Sequence, residues 1–117
     1  MPTHHSIDYV EFPCRDPEQS KRFFAEVFGW EFTDYGDDYT AFSHSGLDGG
    51  FYRADAASRT GTGAALVVFY SDSLEETQAR INAAGGRIVR DIFEFPGGRR
   101  FHFEEPSGNE FAVWTAA

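Results

Sequence analysis

One order of predicted elements occurs twice along the chain, and this internal repeat constrains the fold more than any other feature of the sequence. In each half a strand-forming segment precedes an amphipathic helix, and three short strands follow. The aspartate before the first helix, Asp16, lies 13 residues before the glycine that ends it, Gly29. In the second half Asp72 and Gly85 have the same spacing. The chain is therefore predicted to consist of two βαβββ modules.

Local signals place the ends of these elements. Asp16 and Pro17 are typical of the first turn of a helix. In the second half Asp72 or Ser73 is expected to cap the helix, and Ser73 with Glu76 matches a capping box. The predicted strands are residues 7–14, 30–33, 39–42, 50–52, 65–70, 87–95, 99–104 and 110–114.

We expect one α+β domain over residues 1–117. Module one covers about 6–53, a small and polar linker covers about 54–63, and module two covers about 64–115. Each module is a sheet with a helix on one face, so the other face must meet something else. Two such sheets side by side would form a cup-shaped mixed sheet, and cups of this kind are common small-molecule sites.

Composition excludes several classes of protein. The formal net charge of −9 disfavours binding to nucleic acids and to anionic membranes. With 41% hydrophobic residues, 13 of the 117 residues being Phe, the chain is expected to fold. No apolar run is long enough to cross a membrane, and residues 1–5, without a basic start or an apolar stretch, are not expected to be a signal peptide. Because Cys14 is the one cysteine, no disulfide forms within a chain, which fits the cytoplasm.

Several segments together resemble a known superfamily. They are the strand IDYVEFP, the helix segment DPEQSKRFFAEVFGW, the helix end AAGG and the late turn and strand EPSGNEFAVW. They resemble the vicinal oxygen chelate superfamily, which includes glyoxalase I, extradiol dioxygenases, fosfomycin-resistance enzymes and bleomycin-resistance proteins. The resemblance covers about residues 6–115 and implies the glyoxalase/bleomycin-resistance fold. Because this scaffold carries many chemistries, it does not by itself imply an activity.

The resemblance also implies positions for a divalent metal. Enzymes of the superfamily hold it with a His or Gln on the first strand, a His on the matching strand of the second module, and carboxylates from last strands. These positions match Tyr9, Leu66 and Ala112, with the fourth near Gly50 or Phe51. Leu and Ala have no donor atoms, and Tyr ligates only when it is ionised. We therefore expect neither a metal site nor a cofactor.

Strand alternation gives the candidate ligand-binding residues instead. Glu11 is either a ligand anchor or general base, or it forms an ion pair with Arg100 or another arginine. Arg100 either holds an anionic group or forms a salt bridge, and His102 with Glu104 is either an acid–base pair or the polar rim of the cup. The candidate set is Tyr9, Glu11, Phe51, Tyr52, Leu66, Val68, Tyr70, Arg100, His102, Ala112 and Trp114.

Three functions are consistent with these residues. We expect a metal-free protein that binds or sequesters an unidentified small molecule in the cup between the modules. The alternatives are a lyase, isomerase or dioxygenase that uses Glu11, His102 and Glu104, with Glu11 and His102 as its catalytic candidates, and a non-catalytic dimer with a filled cup. In each case we expect a homodimer, because a cup edge rich in exposed aromatic residues needs cover.

Overall fold

The computed structural model describes residues 2–117, which form two helices and two four-stranded mixed sheets. The elements are β1 Val10–Cys14, α1 Pro17–Phe28, β2 Glu31–Asp34, β3 Tyr39–Ser43, β4 Gly49–Arg53, β5 Val67–Tyr70, α2 Leu74–Ala83, β6 Arg87–Phe95, β7 Gly98–Glu104 and β8 Glu110–Ala116. The linker contains one short 3-10 helix, Thr60–Thr62. The predicted α+β fold of two βαβββ modules is confirmed. No helix within residues 2–117 is long and apolar enough to cross a membrane.

The two sheets have the same topology. The first has the strand order β1-β4-β3-β2 and the second β5-β8-β7-β6. In each, the strand before the helix pairs in parallel with the last strand of the module, and the other pairs are antiparallel. As a result β1 and β5 each form one edge of a sheet, with one side of the backbone unpaired within that sheet.

The helix ends follow local sequence signals in one module and depart from them in the other. The Asp16 carboxylate accepts hydrogen bonds from the first turn of α1, and Gly29 ends that helix in the left-handed region with φ 72°. Ser73 is the residue before α2, but its side chain makes no capping hydrogen bond, so the predicted capping box is wrong. The Ser71 hydroxyl instead accepts from the backbone N–H of Ser73 and is bonded to Thr77.

A single aromatic core joins the modules. Phe24 of α1 lies at its centre, with its ring centroid 5.4 Å from Phe51 of the first sheet and 5.4 Å from Phe111 of the second. Because α1 contacts both sheets, their helix-side faces share one core and their other faces point away from it. We call these the first and second outer faces. The buried phenylalanines are Phe12, Phe23, Phe24, Phe42, Phe51, Phe101, Phe103 and Phe111.

A buried carboxylate connects the β7–β8 turn to the first module. Glu105 Oε1 accepts from Ser20 Oγ of α1 at 3.0 Å and from Ser107 N at 2.8 Å. Its Oε2 accepts from Asn109 Nδ2 at 2.8 Å, and the same amide donates to the Pro13 carbonyl of β1 at 2.7 Å. The sequence EPSGN therefore forms a polar clasp between the modules as well as a turn. We refer to it below as the Glu105 clasp.

Candidate functional site

The first outer face carries a chain of hydrogen bonds that joins Tyr9, just before β1, and Glu11 of β1 to Tyr39 of β3. Tyr39 Oη donates to Glu11 Oε2 at 2.8 Å and lies 2.6 Å from Tyr9 Oη. Since a phenol has one proton and Tyr39 gives its own to the carboxylate, Tyr9 must donate to Tyr39. Burial, together with Tyr9 and Glu11, raises the pKa of Tyr39 well above its ordinary value. Tyr39 therefore stays protonated and orients Glu11 as an acceptor.

Gly50 makes room for this arrangement. A Cβ built on Gly50 would collide with the Tyr39 hydroxyl, so the bare backbone of β4 lets the Tyr39 ring cross it to reach Glu11. Tyr39 was not among the sequence candidates, because only the pairing of β3 with β4 brings it over Gly50. Tyr52 lies opposite Tyr39 in the same register and is exposed. Phe51 lies instead in the core, fully buried against Phe24.

The second outer face combines aromatic and basic side chains. Its register places Tyr70, Trp114 and Arg100 side by side across β5, β8 and β7. Val68, Ala112 and His102 form the adjacent row. The Tyr70 and Trp114 rings meet edge to face with centroids 5.0 Å apart. Leu66 is half-buried immediately before β5.

His102 is held neutral on this face. Arg100 Nε donates to His102 Nε2 at 3.2 Å, and because a guanidinium cannot accept, Nε2 is the unprotonated nitrogen. Burial, together with Arg100, lowers the pKa of His102 below its ordinary value, although Glu110 opposes the shift. Its Nδ1 faces Glu110 Oε2 at 3.7 Å. The ring thus links the arginine to a carboxylate without adding charge.

The carboxylates beside this row already have partners. Glu110 Oε1 accepts from Thr60 N at 2.8 Å and from Thr60 Oγ1 at 2.9 Å. Burial opposes ionisation of Glu110, but the bonds from Thr60 together with a contribution from His102 outweigh it and keep the pKa of Glu110 below its ordinary value. Glu104 Oε1 lies 2.8 Å from Arg87, and its Oε2 lies 3.5 Å from Arg59. Glu104 is therefore part of an ion-pair cluster and has no contact with His102 that would make an acid–base pair.

The candidate residues fall into two groups within one chain. Tyr9, Glu11 and Tyr52 belong to the first outer face, and the candidates of β5, β7 and β8 belong to the second. Within residues 2–117 no ion pair joins Glu11 to Arg100. The Glu11 carboxylate is hydrogen-bonded to Tyr39 instead. Between β1 and β5 lies a groove of about 540 Å³, whose walls are mostly apolar and include Val10, Phe12, Val68 and Tyr70.

The side chains at the implied metal positions do not fit a divalent ion. Leu66 and Ala112 offer no donor atom, and the Tyr9 hydroxyl is already bonded to Tyr39. Over the described part of the chain, no three His, Cys, Asp or Glu side chains come together as a metal-binding group.

Comparison with known proteins decides the family. The sequence model of the glyoxalase/bleomycin resistance protein/dioxygenase superfamily matches residues 6–113. The chain belongs to this superfamily. Among curated proteins, none is similar enough in sequence to count as a match. The resemblance to this superfamily, expected over about residues 6–115, is thus confirmed.

Solved structures of the superfamily share the fold at low sequence identity. A genomically encoded fosfomycin resistance protein from Listeria monocytogenes superposes with a TM-score of 0.80 at 17% identity, over 98% of this chain and 96% of that one. A glyoxalase/bleomycin resistance protein/dioxygenase family enzyme from Burkholderia phytofirmans PsJN superposes with a TM-score of 0.79 at 16% identity. The superposition covers 95% of this chain and 100% of that one. A lactoylglutathione lyase from Agrobacterium tumefaciens superposes with a TM-score of 0.71 at 18% identity, over 97% of this chain and 95% of that one. At these identities the likeness establishes the fold alone.

Proposed function

We propose that this superfamily member binds a small organic molecule without a resident metal, in a cup that two copies of the chain complete. The observation that carries the proposal is the chemistry of the two outer faces. They present oriented polar groups, Glu11 and Arg100, among aromatic rings, while Leu66 and Ala112 take two of the positions where a metal ligand is implied. Sites that bind small molecules have this combination of apolar walls and few fixed polar groups. Two of the similar structures are named for small molecules, fosfomycin and lactoylglutathione.

The direction of the two outer faces supports the proposed second copy. In one chain the first and second outer faces point away from a shared core, so neither closes over the other. The strands that flank the groove, β1 and β5, are sheet edges able to pair with another chain. Large apolar side chains are exposed beside them, among them Tyr9, Tyr52, Val68 and Tyr70. A homodimer that brings the first face of one copy to the second face of its partner would cover them and form two cups.

The oligomeric state can be tested with a matched pair of variants. Val68 on β5 and Val89 on β6 are each 40% exposed, but Val89 is far from the β5 edge in strand order. Light scattering after size-exclusion chromatography is expected to give about twice the 13.1 kDa chain mass for the wild type and for Val89→Lys. Val68→Lys is expected to give a monomer, because a charge in a covered apolar seam is costly. A monomeric wild type would refute the dimeric cup.

Ligand and metal content can be tested on the same protein. A thermal-shift screen of small organic molecules is expected to find compounds that raise the melting temperature by mass action. Elemental analysis is expected to find no stoichiometric transition metal after purification, nor after incubation with Ni²⁺, Zn²⁺ or Mn²⁺ and desalting. One tightly held metal per chain would overturn the metal-free site. For the enzymatic alternative, Glu11→Gln would abolish turnover of a candidate substrate and leave the fold intact.

The proposed compartment is the cytoplasm. Cys14 is fully buried, and burial, with a smaller contribution from Glu105, raises the pKa of its thiol to about 11. Such a thiol stays protonated and unreactive. Because Cys14 is the one cysteine, no disulfide within the chain stabilises the fold, and the fold does not depend on an oxidising environment.

A further inference from the structure

The second outer face has a local charge opposite to that of the whole chain. The formal net charge is −9, yet within residues 2–117 neither Arg90 nor Arg100 forms an ion pair with a carboxylate. The Arg90 guanidinium lies 3.6 Å from the centroid of the Phe93 ring, and the Arg100 guanidinium lies 5.8 Å from the same centroid. Both positive charges are therefore held beside one ring.

The neighbouring titratable groups do not neutralise this charge. Glu104 is shared between two other arginines, and Glu110 accepts two hydrogen bonds from Thr60. His102 is neutral because its Nε2 accepts from Arg100. Arg100 is half-buried, and a half-buried guanidinium without a carboxylate lacks its best partner. An anion bound here would supply that partner.

The Arg100 side chain also lines a shallow, mostly apolar depression that is open to solvent. The depression has a volume of about 380 Å³, and Val68, Phe95, Arg100 and Trp114 form most of its wall. The Phe95 and Trp114 rings have centroids 6.1 Å apart and lie at 68° to each other, so they form two sides of a corner. The Arg100 guanidinium lies 5.8 Å from the Phe95 centroid. A flat apolar body in this corner would have its charged end within reach of the arginine.

We infer that the second outer face binds a small aromatic carboxylate, with its carboxylate on Arg100 and its ring against Trp114 and Phe95. This inference rests on the proposed function, because it names the class of molecule that the cup takes. A guanidinium binds a carboxylate through two parallel N–H donors, and an aromatic ring gains contact area from the indole face. Arg90 adds a second positive charge at the edge of the same site. It strengthens the attraction for the ligand carboxylate, while Arg100 makes the direct contact.

The test is a nuclear magnetic resonance titration that follows the Trp114 indole N–H signal, which Trp114→Phe distinguishes from that of Trp30. The probes are benzoate, the neutral benzamide of the same shape, the cation benzylamine, and acetate, which has the charge without the ring. Benzoate is expected to bind most tightly. Arg100→Gln is expected to weaken benzoate binding about 10- to 100-fold, the usual effect of losing a charge-assisted hydrogen bond. Arg22→Gln is the matched control and is expected to have no effect, because Arg22 is an exposed arginine of α1 that forms no ion pair with any of residues 2–117.

The outcomes separate this inference from the proposed function. If benzamide or benzylamine binds as tightly as benzoate, or if Arg100→Gln binds benzoate like the wild type, the anionic class is wrong and small-molecule binding still stands. If only Glu11→Gln binds benzoate and the wild type does not, Arg100 is occupied by Glu11 of a second copy and the inference also fails. If no compound from the broader thermal-shift screen binds either, both proposals fall.

Discussion

Replacing Glu105 by alanine is expected to destabilise the protein more than any other single change to an acidic residue. The Glu105 carboxylate is 2% exposed and accepts hydrogen bonds from Ser20, Ser107 and Asn109. Asn109 also bonds to the Pro13 carbonyl, so the same group of contacts connects the β7–β8 turn to β1 and α1. Alanine at this position would remove the acceptor that these donors share.

The expected magnitude follows from the donors left without a partner. Each buried donor that loses its acceptor costs about 1–3 kcal/mol, and Ser107 N and Asn109 Nδ2 both lose theirs. We therefore expect a loss of about 3–5 kcal/mol in the free energy of unfolding, the middle of the range that two such donors give. In a domain of this length that corresponds to a melting temperature lower by about 10–20 °C. Glu105→Gln keeps the shape of the side chain but turns its amide NH₂ toward another donor, which is then left without an acceptor. We expect this variant to lose about 1–3 kcal/mol in the free energy of unfolding.

Circular dichroism during urea and thermal unfolding at pH 7 is the assay, with Glu26→Ala as the control. Glu26 is an exposed acidic residue of α1, and its substitution is expected to change stability by no more than about 0.5 kcal/mol. A melting temperature of Glu105→Ala within 3 °C of the wild type would show that the clasp contributes little. It would also refute the assignment of EPSGN as the connection between the modules.

The pH dependence gives a second check with a defined sign. Burial raises the pKa of Glu105 above its ordinary value, although the hydrogen bonds from Ser107, Ser20 and Asn109 oppose the shift. The folded protein therefore holds this proton more tightly than the unfolded chain does. The part of the stability that is linked to this proton is fully present below the unfolded pKa of about 4.3 and is lost as the pH rises through the folded pKa. The hydrogen bonds that the ionised carboxylate accepts remain, and the measurement at pH 7 reports those. Since glutamine does not titrate, the stability difference between wild type and Glu105→Gln should shrink as the pH rises. A difference that grows with pH would contradict this sign.

Other changes test local features of the fold. Gly50→Ala should displace the Tyr39 hydroxyl and cost about 1–3 kcal/mol in urea unfolding, the usual effect of overpacking, whereas a stability equal to wild type would show that Tyr39 moves aside freely. Asp16→Ala should lower the free energy of unfolding by about 1 kcal/mol, because it removes the cap of α1. Ser73→Ala should change it by less than about 0.5 kcal/mol, because the Ser73 side chain makes no capping hydrogen bond. Equal losses in the two variants would contradict the structure. Cys14 should react with a thiol reagent at pH 8 only after unfolding in urea, since its buried thiol has a pKa of about 11, and stoichiometric labelling of the native protein within minutes would be the opposite result.

The sequence by itself determined the architecture and the faces of most strands. The order of the elements, including the Asp16 cap and the Gly29 helix end, could be predicted from the sequence. Each of these features depends on residues that are close together along the chain. Alternation in β1 likewise put Phe12 in the core and Glu11 on the opposite face. It made Phe51 a ligand-binding candidate, whereas Phe51 lies in the core, because the two glycines that begin its strand leave no alternation to follow.

Tertiary structure alone decided how the polar groups of the candidate site are paired. Glu11 is bonded to Tyr39, 28 residues away, and Glu105 bonds to Ser20, 85 residues away. Arg100 contacts His102 and no carboxylate within the described residues. These pairings depend on the register of neighbouring strands and on the packing of α1 between the two sheets. A linear pattern specifies which residues share a face, but the distance between two faces is set only when the core is packed.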